Sequence, residues 1–201
     1  REVAADGFGQ EATIVIEKPF GYDQKSAVEM NRELSRYFTE SQIFRIDHYL
    51  AKESVQNIMI FRFANTAFLP AWNSHYIESI QINAIEDIGI AERGSYFDKA
   101  GIIRDMVQNH LLQLLCLITM ETPSSLDPED IRQQKLGVLK NIKIEECYRF
   151  QYEGYLQEKG VDPESKTETF AELKLVINNM RWAGMPVYIR CGKAVNRKGI
   201  E

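Results

Sequence analysis

Hydrophobic and polar positions recur with two periods along the chain, and the changes between them mark the elements. Thr13 to Glu17 is a short apolar run stopped by Pro19 and Gly21, and it predicts a strand. Asp23 to Phe38 has helical spacing, with Val28, Leu34 and Phe38 on its apolar side and Asp23 as N-cap. Ile43 to Ile46 predicts a second strand. Ala51 to Ala64 predicts a helix, with Val55, Ile58, Met59 and Arg62 at helical spacing. From 77 to 84 the pattern alternates, Ile80, Ile82 and Ala84 against Ser79, Gln81 and Asn83, as in a half-buried strand. Ile102 to Met120 is apolar almost all round and predicts a buried helix, closed by Pro123. Asp127 and Pro128 open another helix running to Leu139. Residues 146–152, 168–178 and 186–191 read as strands, and Glu158 to Thr167 as a polar loop. The order strand–helix–strand, then strand-rich α+β, places a boundary near residue 45.

Composition narrows the classes. The chain has 201 residues, with 24 Lys+Arg against 29 Asp+Glu, giving a net charge of −5. An acidic balance lacks the basic footprint that nucleic acid requires. The apolar run Leu111 to Met120 is too short to span a bilayer and contains Gln113. Three cysteines, at 116, 147 and 191, form no CxxC pair and read as reduced thiols in a cytoplasmic protein, with no metal implied. The chain starts without Met and ends in mid-pattern on RKGIE, so it reads as a piece of something longer.

Five constellations carry possible chemistry. Gly7 to Ala12 matches GxGxxA, but it precedes a strand instead of opening a helix, so it reads as a linker and not as a phosphate loop. Lys18 stands at the end of the first strand, where α/β folds gather ligands; the plainer reading is a surface lysine before a turn. Arg45 to Glu53 packs Asp47, His48, Tyr49 and Lys52 at a strand-to-helix junction. His48 and Lys52, four apart, can face one anion at a helix start; the alternative is a solvated turn. His110 lies on an apolar helix face with Ile103, Met106, Leu114 and Leu117, either as a core histidine or as a general base. At ~100° per residue Asp105 falls about 140° away from it, which leaves Asp47 as the orienting carboxylate. Arg190 to Lys198 forms a late basic cluster, with Cys191 as a small strand residue.

EKPFG, RIDHYLAKE, GIIRDMVQNHLLQ and RCGKA, in this order, resemble the glucose-6-phosphate dehydrogenase family. QNIMIFRFAN, ERGSYFD, TETFAELKL and RWAGMP extend the resemblance, which covers residues 12 to 198; the family's usual glycine in the second motif is Ala51 here. The resemblance implies an α+β fold with a large, mostly antiparallel sheet covered by helices (46–201), preceded by the tail of a Rossmann-type coenzyme domain (1–45). It implies NADP-dependent oxidation of glucose 6-phosphate to the lactone, the first step of the pentose phosphate pathway. His110 corresponds to the base and Asp47 to the carboxylate that orients it. His48, Tyr49 and Lys52 correspond to the phosphate and sugar grip, and Lys18 to a lysine between sugar and coenzyme. Glu86 and Asp105 correspond to sugar-binding carboxylates, and Lys193 and Lys198 to basic substrate positions. The full-length enzyme is expected to be a homodimer or homotetramer, without membrane or nucleic-acid partners, and this central piece to be inactive alone. The alternatives are another EKP-containing sugar dehydrogenase, or an inert partial domain that binds sugar phosphate.

Overall fold

The computed structural model describes residues 12–195 and 199–200. The chain divides into two compact units, the first ending at His48 and the second beginning at Tyr49.

The first unit is strand, helix, strand. β1 (Ile14–Glu17) and β2 (Ile43–Ile46) pair in parallel, Ile14 opposite Ile43 and Glu17 opposite Ile46. A parallel pair needs a crossover, which α1 (Gln24–Leu34) supplies. Asp23 caps this helix as expected. Its carboxylate accepts from the Ser26 N–H at 2.8 Å, and the Ser26 hydroxyl accepts from the Asp23 N–H. Gly21 has φ +94°, and a Cβ there would lie 2.7 Å from the Ala27 nitrogen, so the turn into the helix requires glycine. The helix stops at Leu34, short of Phe38, where the Ser35 hydroxyl donates to the Asn31 carbonyl. Val28, expected on the apolar side, is exposed; two strands offer too little sheet to cover a whole helix face. The GxGxxA glycines lie outside the described residues.

The second unit holds a five-stranded sheet with a helical layer on one face. Its elements are α2 (Glu53–Phe63), β3 (Ile80–Ile85), α3 (Gly94–Ile102), a π-helical segment (Ile103–Leu111), α4 (Leu112–Thr119), α5 (Pro128–Leu139), β4 (Ile142–Phe150), β5 (Phe170–Ile177), β6 (Pro186–Gly192) and β7 (Gly199–Ile200). The strand order is β4-β5-β6-β3-β7. Only β3 and β6 run parallel; the other three pairings are antiparallel. The alternation read from sequence places the core. Ile80, Ile82 and Ala84 of β3, Leu173, Leu175 and Ile177 of β5, and Val187, Ile189 and Cys191 of β6 are all buried, together with Phe97, Leu111, Leu115 and Trp182. Alternate positions on the other face carry polar partners, such as Arg190 with Glu172 at 3.0 Å.

Three expectations change. The strand expected at 146–152 begins at Ile142, and polar Lys143, Glu145 and Glu146 hide its start because the strand lies at the sheet edge. Residues 94–102 form a helix, broken at Gly101 (φ 74°, ψ 164°), that the pattern does not announce. The buried helix from 102 to 120 is two structures in series, and this bears directly on the site. Among the described residues, no helix is long and apolar enough to cross a membrane.

Candidate active site

The histidine of interest sits in the π-helical half of that composite helix. From Ile103 to Leu111 the backbone closes its hydrogen bonds over five residues instead of four. The Asn109 side-chain amide donates to the Arg104 carbonyl, five residues back, at 2.8 Å. Wide turns of this kind are uncommon and concentrate at functional sites. Asp105, Met106, Val107, His110 and Leu111 are its buried residues. The placement of Asp105 about 140° from His110 assumed α-helical spacing and does not hold. In a π turn, positions five apart return toward one line along the axis, and both side chains are buried here.

His110 is 1% exposed. Its ring stacks on Tyr49, centroids 4.3 Å apart and planes 14° from parallel. Tyr49 is itself buried, and the Lys52 ammonium lies 3.9 Å from the centre of its ring. Lys52 is the N-cap residue of α2 and is exposed, so its charge stands at the positive end of that helix. Tyr49 and Lys52 of one motif and His110 of another are thus brought together. A cation over a phenol ring that also stacks on an imidazole forms one polarisable stack.

Glu86 and Lys193 come together as well, 107 positions apart in sequence. Their side chains form an ion pair, with Lys193 buried and Glu86 partly exposed. Backbone bonds brace the pair: the Glu86 N–H donates to the Gly192 carbonyl at 2.9 Å and the Lys193 N–H to the Thr169 carbonyl at 3.0 Å. Asp105, 2% exposed, meets Arg93 at 3.5 Å. Arg93 belongs to the ERGSYFD segment and was not singled out by sequence; an arginine three residues before an aromatic carries little signal by itself. Cys191 lies among these groups. Burial pushes its thiol up to about 12, and the charges of Glu168, Lys193 and Asp105 also act on it. It is a strand residue, not a nucleophile.

In the first unit, Lys18 is half-buried just beyond β1, Asp47 is half-buried just beyond β2, and His48 is exposed. Lys198 lies outside the described residues.

The far end of the composite helix is held by side chains that sequence reading did not assign to the site. A helix leaves its last four carbonyls unpaired. Here Arg62 Nη1 donates to Leu117 at 2.5 Å, Trp72 Nε1 to Ile118 at 2.7 Å, Trp182 Nε1 to Thr119 at 2.7 Å and Arg62 Nη2 to Met120 at 2.7 Å. Burial pulls the Arg62 guanidinium down to about 10; Arg181 acts in the same direction and Glu121 opposes both. Arg62 therefore stays charged at neutral pH. The signal was present in the sequence, because Arg62 falls on the apolar spacing of its own helix.

Comparison with known proteins sets this geometry in a family. The model of the glucose-6-phosphate dehydrogenase NAD binding domain matches residues 2–57, and that of the C-terminal domain matches residues 59–201. "Glucose-6-phosphate 1-dehydrogenase 6, cytoplasmic" of Arabidopsis thaliana is 51% identical over 191 residues, covering 94% of this chain and 37% of the relative. A solved glucose-6-phosphate dehydrogenase in complex with its substrate glucose-6-phosphate superposes with a TM-score of 0.88 at 44% identity, over 94% of this chain and 41% of the other. Glucose-6-phosphate 1-dehydrogenase from Mycobacterium avium gives a TM-score of 0.92 at 40% identity, over 98% of this chain and 45% of the other. The chain spans less than half the length of these relatives. With the two family models together matching residues 2–57 and 59–201 and the fold shared, the chain belongs to the glucose-6-phosphate dehydrogenase family.

Proposed function

We propose that the full-length protein oxidises glucose 6-phosphate to 6-phosphogluconolactone with NADP, in the cytoplasm, as a homodimer or homotetramer. The observation that carries the reading is the stack of buried His110 on Tyr49 beside the Lys52 ammonium, inside a chain of this family. Oxidising a hemiacetal requires the C1 hydroxyl to lose its proton as hydride leaves C1. His110 takes that proton at an imidazole nitrogen, and Asp47 orients the ring. A positioned base contributes typically ~10²–10⁴-fold. Lys52, with His48 and Tyr49, holds the phosphate dianion through charge-assisted hydrogen bonds, and Lys198 adds positive charge. Glu86 and Asp105 accept from sugar hydroxyls, and Lys193 holds Glu86 in place while remaining a donor to substrate.

The residues present fit a nicotinamide coenzyme in part. Lys18 lies beyond the carboxyl end of a parallel strand, where α/β folds bind ligands, and offers a cation to sugar or coenzyme. When bound, the coenzyme supplies the hydride acceptor.

The test is NADP reduction by the full-length protein, followed by the absorbance of reduced coenzyme, with glucose 6-phosphate and with glucose as substrates. Strong preference for the phosphorylated sugar is expected. Lys52→Ala should abolish most of that preference by raising KM for glucose 6-phosphate ~10–100-fold, the worth of a charged hydrogen bond. Equal loss for both sugars would remove Lys52 from the phosphate grip.

A further inference from the structure

We propose that Glu168 is a positioning residue for this reaction: it fixes the start of the π-helical segment and so determines where Asp105 and His110 stand. The proposal rests on the reading of His110 as the base.

Three observations converge on Glu168. Its backbone carbonyl accepts from the Ile102 N–H at 3.0 Å, and its carboxylate Oε1 accepts from the Ile103 N–H at 3.3 Å. Opening N–H groups of a helical segment have no partner within it, and one residue from 65 positions away satisfies two of them. The second observation is Gly101. It holds φ +74°, and a Cβ there would lie 2.5 Å from that same carboxylate oxygen. A side chain at this position would push the carboxylate from its present place, and the positive φ of the break itself favours glycine. The third is the anchoring of Glu168 itself. Its neighbour Thr169 is fully buried. The Thr169 N–H donates to the Phe150 carbonyl at 2.9 Å, and its hydroxyl accepts from the Tyr152 N–H at 2.9 Å. Its carbonyl accepts from the Lys193 N–H at 3.0 Å.

The pair Glu168–Thr169 is thus a junction. One residue grips the start of the segment that carries Asp105 and His110, and the next grips the backbone of Lys193, which pairs with Glu86. A π-helical register competes with the ordinary α register, and the choice is made where the segment begins. A carboxylate fixed to the sheet at that point sets both the register and the depth of the His110 imidazole. Misplacement of reacting groups by ~1 Å can cost ~10²-fold in rate, so the fixed start is worth far more to turnover than one hydrogen bond is worth to folding.

The experiment uses the full-length protein with Glu168→Ala and Glu168→Gln, with His110→Asn as reference. Glu168→Gln keeps an oxygen that can accept from Ile103. We expect Glu168→Ala to lower kcat ~10-fold or more, with a smaller rise in KM for glucose 6-phosphate because Asp105 moves with the segment. Amide hydrogen exchange over residues 102–106 should quicken by a similar factor while that over 112–119 stays unchanged. Glu168→Gln should restore kcat to within a few-fold. Wild-type kcat and exchange in Glu168→Ala would overturn the proposal, and so would equal loss in both variants, which would assign the effect to charge alone. If Glu168→Ala fails to fold, Glu168→Asp carries the same test, since its carboxylate falls one methylene short; normal kcat there would overturn the proposal. Full turnover in His110→Asn would instead remove the reading of the base, and amide exchange at 102–106 would still report whether Glu168 holds the segment.

Discussion

Ile103 to Leu111 and Leu112 to Thr119 are consecutive stretches of one helical column, built on different terms. The first is π-helical, buries Asp105 and His110, and is held at its start by a carboxylate and a glycine break. The second is α-helical, buries Leu114, Leu115, Cys116, Leu117 and Thr119, and is held at its end by Arg62, Trp72 and Trp182. Apolar side chains stabilise in proportion to the area they remove from water, so the second stretch anchors the column. Buried polar groups cost free energy unless paired, so the first stretch must be held by its partners, and those partners are the groups from which a site can be made. The difference teaches that the column separates stability from chemistry along its length.

The sharpest way to break this comparison is at His110. His110→Asn in the full-length protein should lower kcat by at least ~10²-fold with KM nearly unchanged, and steady-state kinetics on the folded variant measures it. A loss of stability with normal turnover would make His110 a core residue like those below it. The opposite pattern is expected at the other end. Trp182 is fully buried, and Trp182→Ala should cost ~3–5 kcal/mol of stability, read by denaturant midpoint, while the fraction that stays folded keeps its turnover. Trp72→Phe keeps a ring but leaves the Ile118 carbonyl without its donor, for a cost of ~1–3 kcal/mol, measured in the same way.

The smallest effect concerns acid. Asp98, on α3, is raised by partial burial but brought below the usual carboxylate range by donors from Ser165, Tyr155, the Asp162 N–H and Thr167. A depressed carboxylate contributes stability above its unfolded pKa of ~3.9, and that contribution is lost as pH falls through the folded value. The loop over 155–167 should therefore loosen below about pH 4, ahead of Leu112–Thr119. The anchors of that stretch, Arg62 and the two indoles, do not titrate there. Hydrogen exchange at pH 3 and pH 6 checks this, and Asp98→Asn should flatten the difference over 155–167. Equal loosening of the loop and of Leu112–Thr119 would count against this expectation.

Much of the architecture was legible because it follows local periods. The two-residue alternation at Ile80, Ile82 and Ala84 points inward as read, Asp23 caps its helix, and Asp127–Pro128 opens the next one. Arg62 even stands on the apolar spacing of α2, where it is in fact buried. The candidate site was legible as a set of motifs, because each motif is a short run whose residue types declare their chemistry. Its geometry was not. Placing Asp105 away from His110 used α-helical spacing, and nothing within residues 103–111 announces the wider turn.

By itself the sequence determined the elements, the inward faces and the chemical inventory, because φ, ψ and side-chain direction over a few residues depend on near neighbours. The tertiary structure alone decided which members of the inventory meet. Glu86 reaches Lys193 across 107 positions, and Glu168 reaches Ile103 across 65. Contacts of such separation depend on how the sheet is closed and what it packs against. The register of the segment that carries His110 was likewise set from outside it, by a carboxylate on the sheet and the space left beside a glycine.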